Sequence, residues 1–177
     1  MSTPKRLVVA AAAALSACAA QPTSTSVKAP AFGEPVSAAE IARWDISIPP
    51  SGAGLPAGSG SVKQGEAVYA AKCQACHGAK GVGKPADALA GGIGSLATGK
   101  PLRTVGSYWP YATTLFDYTR RAMPTTNPLS LSDDEVYAVT AYVLYLNGII
   151  GESAVMNAKT LPQVKMPNRD GFVNISK

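Results

Sequence analysis

Histidine and cysteine are scarce in this sequence, which has one histidine and three cysteines in 177 residues. A single imidazole excludes every site that needs two histidines from one chain. Zinc sites with four Cys or His ligands are also excluded when the N-terminal leader is set aside, because only Cys73, Cys76 and His77 then remain. The same two cysteines belong to one motif, so we expect no structural disulfide.

Charged and aromatic side chains are also few. Charged residues make up 15% of the chain, whereas about 25% is usual for a soluble domain. The net charge of +5 is mild, so we expect no nucleic-acid partner. With only 7% aromatic residues, a small core would be marginal unless a large apolar group were bound inside it.

Residues 1–18 have the order of a secretory signal, which is a basic pair, an apolar run and then small residues. The apolar run is shorter than the roughly 20 residues that a membrane-spanning helix needs. The sequence Leu15-Ser16-Ala17-Cys18 also resembles a bacterial lipobox, in which the cysteine becomes lipidated; ordinary cleavage after Ala20 is the alternative. We therefore expect export to the periplasm, with a possible lipid anchor at Cys18.

Composition divides the rest of the chain into three parts. Residues 19–60 are rich in Ser, Thr, Ala, Gly and Pro and are predicted to form a tether and an N-terminal arm, within which Ile41, Trp44 and Ile46 can pack on the domain. Residues 61–150 carry the periodic segments of one domain. Residues 151–177 are polar and irregular and are predicted to form an extended C-terminal arm over this domain or over a partner.

Three helices are predicted inside the domain. Ser61 and Gln64 form a capping box that begins a helix running into Cys73. Pro110 suits the first position of a second helix, which ends before Met123.

A second capping box, Ser132 with Glu135, begins a third helix over Asp133–Leu146 that Asn147-Gly148 closes. Between the first two helices, residues 78–106 are rich in glycine and are predicted to be loop.

The motif Cys73-Gln-Ala-Cys76-His77 predicts one covalently attached haem c. A cysteine thiol forms a thioether by adding across a haem vinyl group, and two cysteines one helical turn apart match the two vinyl groups. The histidine that follows then supplies the proximal imidazole to the iron. A redox-active dithiol and half of a zinc site are the alternatives, and both fit less well in an exported chain with no further ligands and no βαβ pattern.

The sixth iron ligand is predicted by elimination. Because His77 is the only histidine, methionine is the next usual choice, and the candidates are Met123, Met156 and Met166. Met156 is typical of a packing residue, whereas Met123 and Met166 both precede a proline. An iron held by His77 and a methionine has no open position, so we expect no enzymatic activity of the chain alone. An open-site haem enzyme or gas binder is the alternative.

The layout resembles the class I cytochrome c fold, an all-α fold with helices packed around one covalent haem, here with extended N- and C-terminal arms. The resemblance implies that Met123, in the loop before the last helix, is the axial ligand rather than Met166. It also implies that the first and last helices cross at a small-residue and aromatic contact. Gly65 and Tyr69 are suited to this contact with Tyr142 or Tyr145. Arg103, Tyr108 and Trp109 are candidate partners of the haem propionates.

Five stretches resemble more narrowly the cytochrome subunits of bacterial sulfite and sulfane dehydrogenases. They are residues 54–58, 108–118, 120–124, 134–150 and 166–172, of which Tyr108-Trp-Pro-Tyr111 and Met166-Pro-Asn-Arg-Asp-Gly-Phe172 are the most specific. The resemblance implies that Cys73 and Cys76 hold the porphyrin and that His77 and Met123 ligate the iron.

This resemblance also implies the partners. A molybdenum-cofactor subunit would oxidise reduced sulfur and pass electrons singly to the haem, which would deliver them to a downstream cytochrome c. Because the sequence has one Cys-x-x-Cys-His motif and longer family members have two, a sulfite-type partner is favoured over a sulfane-type partner. A stand-alone electron shuttle, periplasmic or tethered to a membrane, is the alternative function.

Overall fold

The computed structural model describes residues 32–173 and residue 175, so the predicted signal, Cys18 and residues 19–31 lie outside the described part. The chain divides into two units, Met1–Ser37 and Ala38–Lys177. Residues 32–37 of the first unit contain no helix or strand. All elements below belong to the second unit.

The second unit is mainly helical, as predicted, with one short antiparallel sheet in addition. Its elements are α1 (Ala38–Trp44), β1 (Ser59–Ser61), α2 (Val62–Lys72), α3 (Gln74–His77), α4 (Val105–Tyr108), α5 (Ala112–Ala122), α6 (Asp133–Leu146) and β2 (Val155–Asn157). The two strands pair in the register Ser59 with Asn157 and Ser61 with Val155.

The two predicted capping boxes are present. In α2 the Gln64 backbone N–H donates to Ser61 Oγ at 3.3 Å, and the Ser61 N–H donates to Gln64 Oε1 at 2.9 Å. Ser132 and Glu135 make the same reciprocal pair at the start of α6. These bonds satisfy N–H groups that have no partner within the helix, so the local sequence is enough to place both helix starts.

The predictions for the segment before Met123 need two corrections. Helix α5 begins at Ala112 and not at Pro110, because Tyr111 has extended backbone (φ −137°, ψ 133°) and serves as the N-cap residue. The predicted loop over 78–106 contains the start of a further helix, α4, which begins at Val105 and is capped by a capping box of Thr104 and Ser107.

Helices α2 and α6 cross at Gly65, as the resemblance implied. A methyl group at Gly65 would overlap the backbone carbonyl of Ala138 and the Cβ of Tyr142, so glycine permits the close approach. The rings of Tyr69 and Tyr142 then pack with their centroids 5.3 Å apart. Tyr142, rather than the more exposed Tyr145, therefore makes the predicted aromatic contact.

Of the three residues predicted to pack the N-terminal arm on the domain, Ile46 is half-buried and the other two are exposed. Helix α1 buries none of its residues, and Ile41 and Trp44 are 53% and 78% exposed. Ile48 is buried instead, and its backbone N–H donates to Asp117 Oδ1 at 2.9 Å. This carboxylate also accepts from Arg121. The Asp117 side chain therefore connects the backbone of the arm to α5.

The C-terminal arm lies over its own domain. Strand β2 pairs with β1, and Met156, Leu161 and Met166 enter the hydrophobic core with exposures of 5% or less. None of the described helices is both long enough and apolar enough to cross a membrane.

Candidate functional site

A cavity of about 820 Å³ lies beside α3, and all four predicted site residues line it: Cys73, Cys76, His77 and Met123. These residues come from two chain segments that the packing of α2 and α5 on α6 brings together. Met156 and Met166 are buried in the core and are not among the residues that line the cavity. The role of Met123 as iron ligand stays a prediction, but it is the methionine placed beside the motif.

The remaining wall of the cavity is largely apolar. Residues from α4, α5 and α6 contribute side chains without hydrogen-bonding groups, namely Val105, Leu115, Val139 and Val143. Of the three candidate propionate partners, Arg103 and Trp109 line the cavity, whereas Tyr108 does not and packs on Phe172 instead. Cavities of about 300–1,000 Å³ with apolar walls and few polar groups are typical of cofactor sites.

The histidine is held in one orientation. His77 ends the short helix α3, and its Nδ1 lies 2.8 Å from the backbone oxygen of Asp87, to which it donates in the neutral tautomer. That tautomer leaves the lone pair of Nε2 free for a metal, and such outer hydrogen bonds also make the imidazole a better ligand. Gly78 ends the helix with φ +72°, where a side chain would meet the Gly83 carbonyl.

Tyr69 supports the same turn from α2. Its hydroxyl donates to the Gly78 carbonyl oxygen at 2.9 Å, which joins α2 to the end of the Cys73–His77 motif. Burial raises the pKa of Tyr69 to about 12, so the hydroxyl keeps the proton that it donates at neutral pH.

The loop that follows the motif is clamped by Asn147, for which the sequence predicted only a helix-ending role. The buried Asn147 side chain accepts from the Gly91 N–H at 3.1 Å and donates to the Leu89 carbonyl at 3.0 Å. Leu89 lines the cavity, so this amide positions part of its wall. Its partners lie 56 and 58 residues away, and no local signal in the sequence indicates them.

The environment of Cys73 disfavours a redox-active dithiol. Burial raises the pKa of the Cys73 thiol to about 11, and the Lys72 ammonium opposes this shift without cancelling it. Reactive dithiols depend on a lowered thiol pKa, because the thiolate is the nucleophile.

Met123 follows the last residue of α5 with extended backbone (φ −117°, ψ 145°), so the helix ends where the sequence predicted. Its backbone N–H donates to the Thr119 carbonyl at 3.1 Å. Pro124 disfavours helical backbone at the preceding residue, which accounts for this sharp end. The side chain is half-buried at the cavity.

An ion pair joins α2 to α6 at the edge of the cavity. Lys72 Nζ lies 2.6 Å from Glu135 Oε1, with side chains 37% and 30% exposed. The hydrogen bond from Lys72, together with the Ser132 N–H, lowers the pKa of Glu135. Lys72 is therefore neutralised within the chain.

Replacing Glu135 with glutamine is expected to remove the ion pair with Lys72 and to keep the capping box with Ser132. Gln64 shows that glutamine serves equally in a capping box of this protein. The ion pair contributes about 0.5 kcal/mol because both partners are exposed to solvent. Its contribution is present above the unfolded-state pKa of about 4.3 and is lost as pH falls through the lower folded-state value.

Denaturant titrations at neutral pH and near pH 3 measure this difference. The natural protein should be slightly more stable than the Glu135→Gln variant at neutral pH and equal to it near pH 3. A difference that persists in acid would show that the cap, not the charge, is disturbed.

The described residues fit a haem c. Two thiols, an imidazole with a free Nε2 and a thioether meet at one apolar cavity, which is the donor set that this group requires. Cys73 and Cys76 would hold the porphyrin, and His77 and Met123 would hold the iron.

Comparison with known proteins agrees with this fit. Residues 60–143 match the family model described as cytochrome c oxidase, cbb3-type, subunit III. The chain is 42% identical to a chain in the crystal structure of the sulfane dehydrogenase SoxCD from Paracoccus pantotrophus, with a TM-score of 0.76. The match covers 80% of this chain and 70% of that one. No curated protein matches.

Proposed function

Because the chain belongs to the class I c-type cytochromes, a family of electron-transfer domains, we propose that it is the haem subunit of a dehydrogenase that oxidises reduced sulfur. The observation that carries the proposal is the 42% identity to a chain of a sulfane dehydrogenase over 80% of this sequence. The chain would accept electrons from a molybdenum-cofactor subunit and pass them to a downstream cytochrome c.

One haem c, attached through Cys73 and Cys76, would supply an iron that changes between the ferric and ferrous states and thus carries one electron. His77, held by the Asp87 carbonyl, and Met123 would hold the iron. With both positions filled, the chain would have no site for substrate. Oxidation of reduced sulfur would take place on the partner.

We propose sulfite as the partner's substrate. The sequence has one Cys-x-x-Cys-His motif, whereas the longer cytochrome subunits that it resembles have two. Oxidation of sulfite with water to sulfate releases two electrons and two protons. The partner would therefore reduce this haem twice in each turnover. A sulfane substrate is the second candidate, and it is favoured by the 42% identity to a chain of a sulfane dehydrogenase.

The place of action would be the periplasm. A leader over residues 1–18 would direct export, and a lipidated Cys18 would tether the domain to a membrane through residues 19–60.

The test is purification of the tagged chain from its own cells. A molybdenum-containing protein should copurify, and sulfite should reduce the haem in this complex. The same chain purified without the partner should show no reduction by sulfite, which serves as the control.

Reduction by a sulfane donor but not by sulfite would transfer the assignment to the second candidate. A haem-loaded chain that binds no molybdenum protein would contradict the subunit assignment and leave a stand-alone shuttle. Carbon monoxide binding by the reduced chain would contradict the closed iron site.

A further inference from the structure

The last part of the C-terminal arm, Met166–Phe172, lies against the segment between α4 and α5. We call residues 166–172 the strap. The Nδ2 of Asn168 donates to the Tyr108 carbonyl oxygen at 2.7 Å. The ring of Phe172 meets the Tyr108 ring edge-on, with centroids 5.2 Å apart. The Arg169 guanidinium lies over the Tyr111 ring, 4.4 Å from its centroid.

These contacts hold the residues on either side of Trp109. Trp109 itself lines the cavity and packs edge-on against Tyr118, with centroids 5.7 Å apart. Arg103, which also lines the cavity, has its guanidinium 5.4 Å from the centroid of the Tyr108 ring. Tyr108 therefore contacts both the strap and Arg103 at the cavity.

The segment around Trp109 has little regular structure to hold it. Helix α4 ends at Tyr108 and α5 begins at Ala112. The carbonyl of Tyr108 is at a helix end, where no partner exists within the helix, and Pro110 has no N–H to donate. Asn168 supplies the missing donor from a distance of 60 residues.

The strap is in turn fixed to the core. Met166 is 3% exposed, and the turns from Met166 to Arg169 and from Asn168 to Gly171 each close with a backbone hydrogen bond. The strap therefore connects Tyr108 to the hydrophobic core and is not a free tail.

We propose that Asn168 and Phe172 are positioning residues, which hold Trp109 and Arg103 towards the haem through Tyr108. The inference rests on the proposed haem site but not on the identity of the dehydrogenase. Releasing the strap would loosen this wall and admit water to the cavity, which would lower the reduction potential because water stabilises the more highly charged iron.

The test uses the haem-loaded chain with Trp44→Phe, in which Trp109 is the only remaining tryptophan. A nearby haem quenches the emission of Trp109. Removing one hydrogen bond with Asn168→Ala should raise the population of released strap about fivefold, and the emission of Trp109 should rise with it. Tryptic cleavage after Arg169 should accelerate by a similar factor, since cleavage follows the open population. The potential should fall.

Gln163→Ala is the matched control, because Gln163 is an exposed residue of the same arm outside the strap. It should leave emission, cleavage and potential unchanged. If Asn168→Ala accelerates cleavage but leaves emission and potential unchanged, the strap is only structural and the proposal is wrong.

Phe172→Ala keeps the proposal testable if Asn168→Ala fails to fold or to load haem. Phe172 is 53% exposed, so its loss should be tolerated, and it should raise the emission in the same way; unchanged emission would overturn the proposal. If sulfite fails to reduce the haem while Trp109 emission is normal, the result contradicts the proposed function and leaves the proposal about the strap unaffected.

Discussion

Replacing Met123 with leucine should open the sixth position of the haem iron. Leucine has nearly the volume of methionine but no sulfur, so the cavity wall is kept and only the ligand is removed. The reduction potential should fall by on the order of 0.1–0.3 V, within the roughly 0.8 V range that axial ligands control. The reduced variant should bind carbon monoxide, whereas the reduced natural protein should not bind it. Redox titration and the absorption spectrum under carbon monoxide measure both effects.

Met166→Leu is the matched control, because it makes the same change at the other methionine that precedes a proline. Met166 is buried in the core and is not among the residues lining the cavity. Its replacement should leave the reduction potential unchanged, and the reduced variant should still not bind carbon monoxide. If Met166→Leu opens the iron and Met123→Leu does not, the assignment of the axial ligand is wrong.

Replacing Gly65 with alanine should destabilise the domain by about 3 kcal/mol, at the upper end of the usual cost of overpacking. The added methyl group would overlap the carbonyl of Ala138, a backbone group that cannot rotate away. Helices α2 and α6 would have to separate, which would open the contact between Tyr69 and Tyr142. Alanine favours a helix over glycine by about 1 kcal/mol, and the overlap should outweigh this gain.

Urea titration of the haem-loaded protein measures the change in the free energy of unfolding. Gly151→Ala is the control, because a methyl group there would meet no atom within 4 Å and the backbone is not left-handed. It should change stability by no more than about 0.5 kcal/mol. Equal stability of the two variants would show that the helices adjust without cost.

The helix starts at Ser61 and Ser132 were predictable because each depends on residues within four positions of one another. The start of α5 was predicted two residues early, since Pro110 is compatible with a first helical position and the extended backbone of Tyr111 is not visible in the sequence. The box of Thr104 and Ser107 was missed because it lies in a glycine-rich stretch predicted as loop.

The burial of apolar residues was harder to predict. Trp44 and Ile41 are large apolar residues, yet they are exposed, whereas Ile48 is buried in the hydrophobic core and its backbone N–H donates to Asp117. Which apolar residue is covered depends on what packs against it, and that surface comes from distant parts of the chain.

The sequence by itself determined the haem motif, because Cys73, Cys76 and His77 occupy five consecutive positions and their chemistry depends on local spacing. It also determined, through the single histidine, that methionine is the candidate for the sixth ligand. Only the tertiary structure decided which methionine lies at the cavity and which groups hold its walls. Met123 lines the same cavity as His77, 46 residues away, and Asn147 and Asn168 hydrogen-bond to positions 56 to 60 residues away. Such contacts arise from packing of the helices on α6, which no local pattern encodes.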